Sequence, residues 1–473
     1  MNKGPEVKVT FYDGAGQVTG ANFLLHIDTD AGGKHGIKIL FDCGLVQGSK
    51  VGEEQNRDPF PYKPSEVDYL IVSHAHIDHI GRIPKLVRDG FRGKIFSTPP
   101  TREVADIMMT DSLGILGKEA KQDNKLVIYD EEDCKKAMEL WEEGVPYYKE
   151  FKLGIFTVSF KDSGHIIGSA MTEFVWLDGP TGRDKRKLVY TGDLGNSPSI
   201  ILRDTDIIND ADYLIMESCY GDRNHEPRAK SRGMLEDVIE NTVRKNGVLM
   251  IPAFSIEKTQ EILFEIKRMM EESRIPLVKV FLDSPLAIKV TAIYKKYHEY
   301  MNVEATRKFE LNPEDGLFAF PQLHPTLTTD ESIAIKSSTN PKIIIAGSGM
   351  SNGGRILHHE KNYLPDPNST LLLTGYQSAG TLGRRVGEGE KMIKIMGETV
   401  MVNANVVTIT GYSGHKGSDD LLDFVLHTAD QIKKIFVVLG EPKSSLHLVQ
   451  RIRDTLALSA IAPVPGETVI LND

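Results

Sequence analysis

The sequence predicts an α/β protein in which a strand-rich part is interrupted by a parallel, doubly wound one. Three observations carry this. Residues 7–72 and 155–216 alternate apolar and polar side chains at the period of half-buried strands. From about 222 to 398, apolar runs, glycine turns and helical patterns follow one another, as in an open parallel sheet that binds ligands at its strand ends. Residues 399–473 then return to strand, His-bearing loop, helix, strand and helix.

The first strands are expected over 7–11, 22–27, 37–42 and 69–72, each short and closed by Gly, Asp or a cluster of His. Helical spacing follows over 101–118 and 131–143, and strands resume at 155–160, 170–176, 187–191 and 213–216. In the middle region, 247–253 is an apolar run and Ser255 is the expected N-cap of the next helix, because Ile256, Leu263, Ile266 and Met270 recur at helical spacing. Runs 278–282, 343–346 and 371–374 are further buried strands, ending in DSP, GSGMSNGGR and GYQSAGTLGR.

Composition narrows the class. The chain has 473 residues, 40% apolar and 26% charged, which excludes disorder, collagen and coiled coil as the whole answer. At this length two or three structural units are expected. Cys43, Cys134 and Cys219 form no CxxC pair, so neither a disulfide framework nor a zinc ribbon is expected, and a reducing cytoplasm fits. No apolar run approaches the ~20 residues that span a bilayer, so no membrane is expected. Lys and Arg number 56 against 66 Asp and Glu, a net charge of −10, which counts against general affinity for nucleic acid.

The run SHAHIDH at 73–79 places His74, His76, Asp78 and His79 within six residues at the end of the apolar strand YLIV. A helix would scatter these positions around its axis, whereas a loop leaving a strand can turn them toward one point. Neutral imidazole and carboxylate are the ligands Zn²⁺ and similar ions take. His165, in DSGH, and Asp193, in YTGD, sit at matching strand ends; either alone reads equally well as a turn residue.

HxHxDH, then GHxxGS, then TGD resembles the metallo-β-lactamase superfamily. Within it, ESCYG at 217–221 resembles the ESTYG motif that opens the β-CASP insertion, and SGH at 413–415 resembles the S-x-H motif that follows it. PAFSIEKTQE at 252–261, DSP at 283–285 and GSGM at 347–350 match interior landmarks, so the resemblance covers essentially the whole chain. It is to the β-CASP ribonucleases, in the compact bacterial and archaeal form. It implies an αββα sandwich, residues 1–221 and 399–473, with a β-CASP domain inserted over 222–398. It implies two divalent metal ions, Zn²⁺ by preference. His74, His76 and His165 would hold one, Asp78 and His79 the other, and Asp193 would bridge both. Asp42, in LFDCG, would orient a ligand imidazole from behind.

The implied activity is hydrolysis of single-stranded RNA: a hydroxide held between two metals attacks phosphorus, with Asp78 part of the catalytic set. His415, supported by Glu217, would protonate the leaving 3′-oxygen. Endonucleolytic cutting is expected, with 5′-exonucleolytic action as the alternative mode. A non-catalytic RNA-binding scaffold and a small-molecule hydrolase of the superfamily are the competing readings. RNA contacts are expected from Lys258, from the loop Ser348, Gly349, Met350 and Arg355, and from Thr381, Gly383 and Arg384, since glycine-loop amides before a helix can cradle phosphate. Lys258 stands where the family motif has Arg, so charge is kept without bidentate geometry. The resemblance also implies a homodimer.

One position departs from the pattern. The family's last motif is strand-His-Gly-Glu, and here the segment reads FVVLGEP, with Leu439 in the histidine's place. The second metal site is therefore expected to be weakened, with His447 as a conceivable but outward-facing replacement. The acidic net charge no longer excludes RNA, because Asp42, Asp78, Asp193 and Glu217 belong to a site whose ions reverse the local field. It predicts modest, metal-centred binding.

Overall fold

The computed structural model of the chain describes residues 6–28, 36–48, 50–122, 124–178, 184–313, 316–378 and 380–471. His35 lies outside them. The chain divides into two compact units: Met1–Ser199, Arg203–Asn224 and His415–Asp473 form the first, Ile200–Leu202 and His225–Gly414 the second.

The first unit contains two sheets of six and seven strands. In the first sheet Glu6–Phe11, Phe23–Asp28 and Ile37–Phe41 run antiparallel, and Tyr69–Ile71 and Lys94–Phe96 add on in parallel. In the second, Phe156–Asp162, Ala170–Asp178 and Asp184–Tyr190 run antiparallel, and Tyr213–Glu217 and Lys434–Val438 continue in parallel. Inward-facing aromatics join the two layers: Phe41 stacks on Tyr190 with ring centroids 5.3 Å apart and meets Phe174 at 4.9 Å, and Phe11 meets Phe436 at 5.2 Å. Helices such as Pro99–Gln122 and Pro442–Leu456 complete an αββα arrangement.

The second unit is built on six parallel strands in the order Leu323–Pro325, Lys279–Asp283, Lys342–Ala346, Val248–Pro252, Thr370–Leu373 and Asn405–Thr408. Alternate residues feed opposite faces: Leu249, Ile251, Ile343 and Ile345 pack with Leu263 and Ile266, whereas Val248, Met250, Ile344 and Leu371 pack with Ile356 and Val386. Both faces are thus covered, which explains the continuous apolar runs.

Beyond the expected boundary at 398, Asn405–Thr408 still pairs in parallel with Thr370–Leu373, and Ile409 and Tyr412 join the same core, so the second compact unit runs to Gly414. One expectation is corrected: Ser255 is not a helix cap. The helix runs Lys258–Glu271 behind Glu257, whose backbone is left-handed at φ 61°, and Ser255 Oγ instead lies 3.4 Å from Ser284 Oγ. Among the described residues no helix is long and apolar enough to cross a membrane.

Candidate metal centre

The His-rich run leaves the sheet exactly where the strand pattern breaks. Beyond Tyr69–Ile71 the chain stays extended to His76, then makes one helical turn, Ile77–Ile80. The segment 42–45 lies flat on that turn: Cys43 N donates to His79 O at 2.8 Å and Leu45 N to Ile77 O at 3.0 Å. Gly44 permits this contact, since a Cβ there would lie 1.5 Å from the Asp78 carbonyl oxygen.

Four ligand atoms converge. His74 Nε2 and His165 Nε2 each lie 3.1 Å from His76 Nδ1. Asp193 Oδ2 is 3.4 Å from His74 Nε2 and 3.5 Å from His165 Nε2. Ligands at ~2.0–2.1 Å from a tetrahedral ion are separated by about 3.3 Å, so this spacing suits one cation held by all four. Burial lowers the pKa of His74 and His76 well below the ordinary value, which keeps their nitrogens free as ligands.

The other face of Asp193 makes half of a second site. Its Oδ1 is 3.4 Å from His79 Nε2, a buried atom without a hydrogen-bond partner. A buried ring nitrogen left this way is unfavourable unless something binds it, so the donor set fits a second cation. Asp78 stands on the same turn, half-buried, outside the four-atom group, with burial raising its carboxyl to about 6. Behind the site, fully buried Asp42 accepts from His79 Nδ1 at 2.7 Å, Ser73 N at 2.8 Å, Ser73 Oγ at 2.7 Å and Tyr190 OH at 2.6 Å. Ser73 and Tyr190 escaped the sequence reading, although each borders a motif, opening SHAHIDH and preceding TGD.

A second constellation adjoins the first. Glu217 closes the strand Tyr213–Glu217 and is fully buried, not a surface carboxylate. Its Oε1 accepts from Leu194 N at 2.6 Å and lies 3.1 Å from His415 Nδ1. His415 forms a backbone bridge to Gly195, and its ring centroid is 4.7 Å from that of His165. The short segment 193–195 thus positions a candidate metal ligand, the buried carboxylate and the imidazole together. Burial pulls the His415 imidazolium down, but the charge and hydrogen bond of Glu217, with Asp193 and Asp78, more than offset this and raise it to about 9.

Leu439 is buried and offers no ligand atom. It follows the strand Lys434–Val438 in a left-handed conformation, φ 52°, with its N–H donating to Gly14 O at 2.7 Å. His447 does not replace it: its Nδ1 donates to Gly221 O at 3.0 Å from the exposed side of Pro442–Leu456.

The expected RNA contacts divide. Lys258 is corrected: it is 6% exposed, with Nζ 2.6 Å from Glu261 Oε2, because it sits in the first turn of a buried helix. Thr381 is also corrected, since its buried hydroxyl caps the helix Leu382–Gly387 by accepting from Arg384 N. Gly383 is buried and its N–H donates to Met350 O at 3.1 Å, tying the two glycine loops together. Arg355 is spent on Asp283 Oδ1 at 2.7 Å and the carbonyls of Thr326 and Leu327. Ser348 and Met350 are half-exposed, and Arg384 reaches solvent beside Glu388. Gly349 is buried because a Cβ there would meet the ring of Phe254 at 2.7 Å. That ring, 37% exposed, was not singled out from sequence.

Comparison with known proteins agrees in extent. The Beta-Casp domain matches residues 259–386, the Zn-dependent metallo-hydrolase RNA specificity domain 399–463, and the metallo-beta-lactamase superfamily 33–91. The chain is 35% identical to ribonuclease TTHA0252 of Thermus thermophilus, over 93% of this chain and 95% of that protein. It is 32% identical to an RNase J-like protein of Methanocaldococcus jannaschii, over 97% and 99% of the two. It is 29% identical to the transcription termination factor FttA of Methanosarcina mazei, over 98% of this chain and 72% of that one.

Proposed function

Because the chain belongs to the β-CASP family of the metallo-β-lactamase superfamily, we propose that it is a metal-dependent ribonuclease that hydrolyses phosphodiester bonds of single-stranded RNA. The observation that carries this reading is the junction of a four-atom ligand set, His74, His76, His165 and Asp193, with the buried pair Glu217 and His415 through residues 193–195.

His74, His76, His165 and Asp193 would hold one divalent ion, and Asp78 and His79, with Asp193, a second and weaker one. Zn²⁺ suits this mixture of imidazole and carboxylate. Such ions, when bound, lower the pKa of coordinated water and offset charge on the phosphoryl oxygens. Asp42 fixes the ring of His79 by taking its Nδ1 proton in a hydrogen bond. His415 has Nδ1 committed to Glu217, so Nε2 carries the proton delivered to the leaving 3′-oxygen. Glu217 orients that ring and keeps it protonated. Phe254 offers a stacking face for a base, with Ser348 and Arg384 as polar and cationic neighbours of the strand and Met350 as an apolar one. Cys43, Cys134 and Cys219 are all buried and free, which supports a cytoplasmic location. A homodimer is the expected assembly, read by sedimentation.

Incubation of 5′-labelled single-stranded RNA with the natural chain and with Asp78→Ala, resolved on a gel, tests the reading. The natural chain is expected to release internal fragments and the variant none. Release of the labelled 5′-nucleotide alone would assign the 5′-exonucleolytic mode. Absence of cleavage by the natural chain would overturn the proposal in favour of the scaffold reading, which Leu439 alone supports.

A further inference from the structure

Glu217, Cys219 and His415 each offer a ligand atom, and these three atoms lie within 4.8 Å of one another. Glu217 and Cys219 are 0% and 3% exposed. His415 Nδ1 lies 3.1 and 3.3 Å from the two Glu217 oxygens, the spacing of two ligands on one tetrahedral ion. The sulfur sets this group apart from the His and Asp cluster, because thiolate is a soft ligand that selects soft or borderline cations. In the ESTYG motif that this stretch resembles, Thr occupies the position of Cys219.

We propose that Glu217, Cys219 and His415 form an inhibitory site for a soft divalent cation, of the Cd²⁺ or excess Zn²⁺ class. Loading displaces the thiol proton and the His415 Nδ1 proton to solvent and leaves thiolate, Nδ1 of the imidazole and carboxylate on the ion. The ring then keeps only its Nε2 proton, on a neutral imidazole that is a far weaker acid than the imidazolium, so occupancy suppresses turnover without touching His74, His76 or His165. The inhibitory consequence rests on reading His415 as the proton donor; the site itself rests only on the three side chains.

The test titrates Cd²⁺ into the full chain already holding its resident ions. An ultraviolet thiolate-to-cadmium charge-transfer band is expected to saturate at one ion per chain. Cys219→Thr should abolish it, while Cys43→Ser and Cys134→Ser leave it. In RNA cleavage, normalised to each form's own rate, half-inhibition should need at least about tenfold more Cd²⁺ in Cys219→Thr, as when a metal site loses a partner group. No band in the natural chain, or a band that survives Cys219→Thr, overturns the site. Equal inhibition of both forms overturns its inhibitory role. The expected band in a chain that cleaves no RNA supports the site and sinks the ribonuclease reading instead.

Discussion

Asp42 shows how a single residue can brace the proposed metal centre from behind. It accepts four hydrogen bonds while fully buried, and one of them fixes His79. Asp42→Ala is expected to weaken metal retention by about 10–100-fold, measured by competition with a chelator. His415→Ala, which removes the proposed acid, should lower RNA cleavage by about 10²–10⁴-fold while leaving metal content unchanged. Leu439→His is expected to raise metal content toward two tightly held ions. Leu439 is left-handed at φ 52°, a conformation His adopts more readily than Leu, so the variant should fold without loss. Two tightly held ions in the natural chain would refute the weakened second site. At this scale the candidate ligands stood out in the sequence because their types and spacing are rare outside metal sites. Ser73 and Tyr190 were not, because a hydroxyl near a motif is common and only the fold shows that both reach Asp42. Lys258 misled because its charge reads as surface until the helix around it is seen to be buried.

Among the elements, the helix Ile356–Tyr363 is tied to the sheet of the second unit by buried polar groups. Its His359 contacts Asp283 Oδ2 at 2.7 Å. Burial opposes ionisation of Asp283, but His359, Ser332, Thr326 and Arg355 hold its carboxyl well below the usual range. That contribution is complete above about pH 4, the unfolded value, and is lost as pH falls below it. Asp283→Ala should cost about 3–5 kcal/mol in denaturant unfolding at neutral pH, the loss seen when a buried pair is broken. Glu360, on the same helix, behaves in the opposite sense: burial raises it to about 8 and Oε2 has no hydrogen-bond partner. The fold favours its neutral form, so its contribution is full below about pH 4.5 and is lost as pH rises to 8. Glu360→Gln should match the natural chain near pH 5 and be the more stable at pH 9 in thermal melts. Strand positions were legible from the apolar runs. That Asn405–Thr408 joins the second unit's sheet was not, because one more parallel strand reads like the start of the returning domain.

For the molecule as a whole, every proposed metal ligand belongs to the first unit, and so do both tryptophans, Trp141 and Trp176. Tryptophan fluorescence therefore reports on the first unit alone. Chelation should lower the melting temperature seen by this signal; at a metal concentration of 100 times Kd the stabilisation removed is about 2.7 kcal/mol. No shift on chelation would show that the ligand set binds nothing. The net charge of −10 is compatible with this function because acidic residues such as Asp42, Asp78, Asp193 and Glu217 are gathered at the proposed centre.

The order of residues along the chain has a consequence for synthesis. All ligands of the four-atom group precede residue 194, whereas His415 and the strand Lys434–Val438 that pairs beside Glu217 follow the inserted unit. On a ribosome, the candidate ligand set emerges long before His415. On the proposed reading, the growing chain therefore lacks its proton donor while the message that encodes it is still being read over the insertion, and cutting waits until the protein is nearly free of its own template.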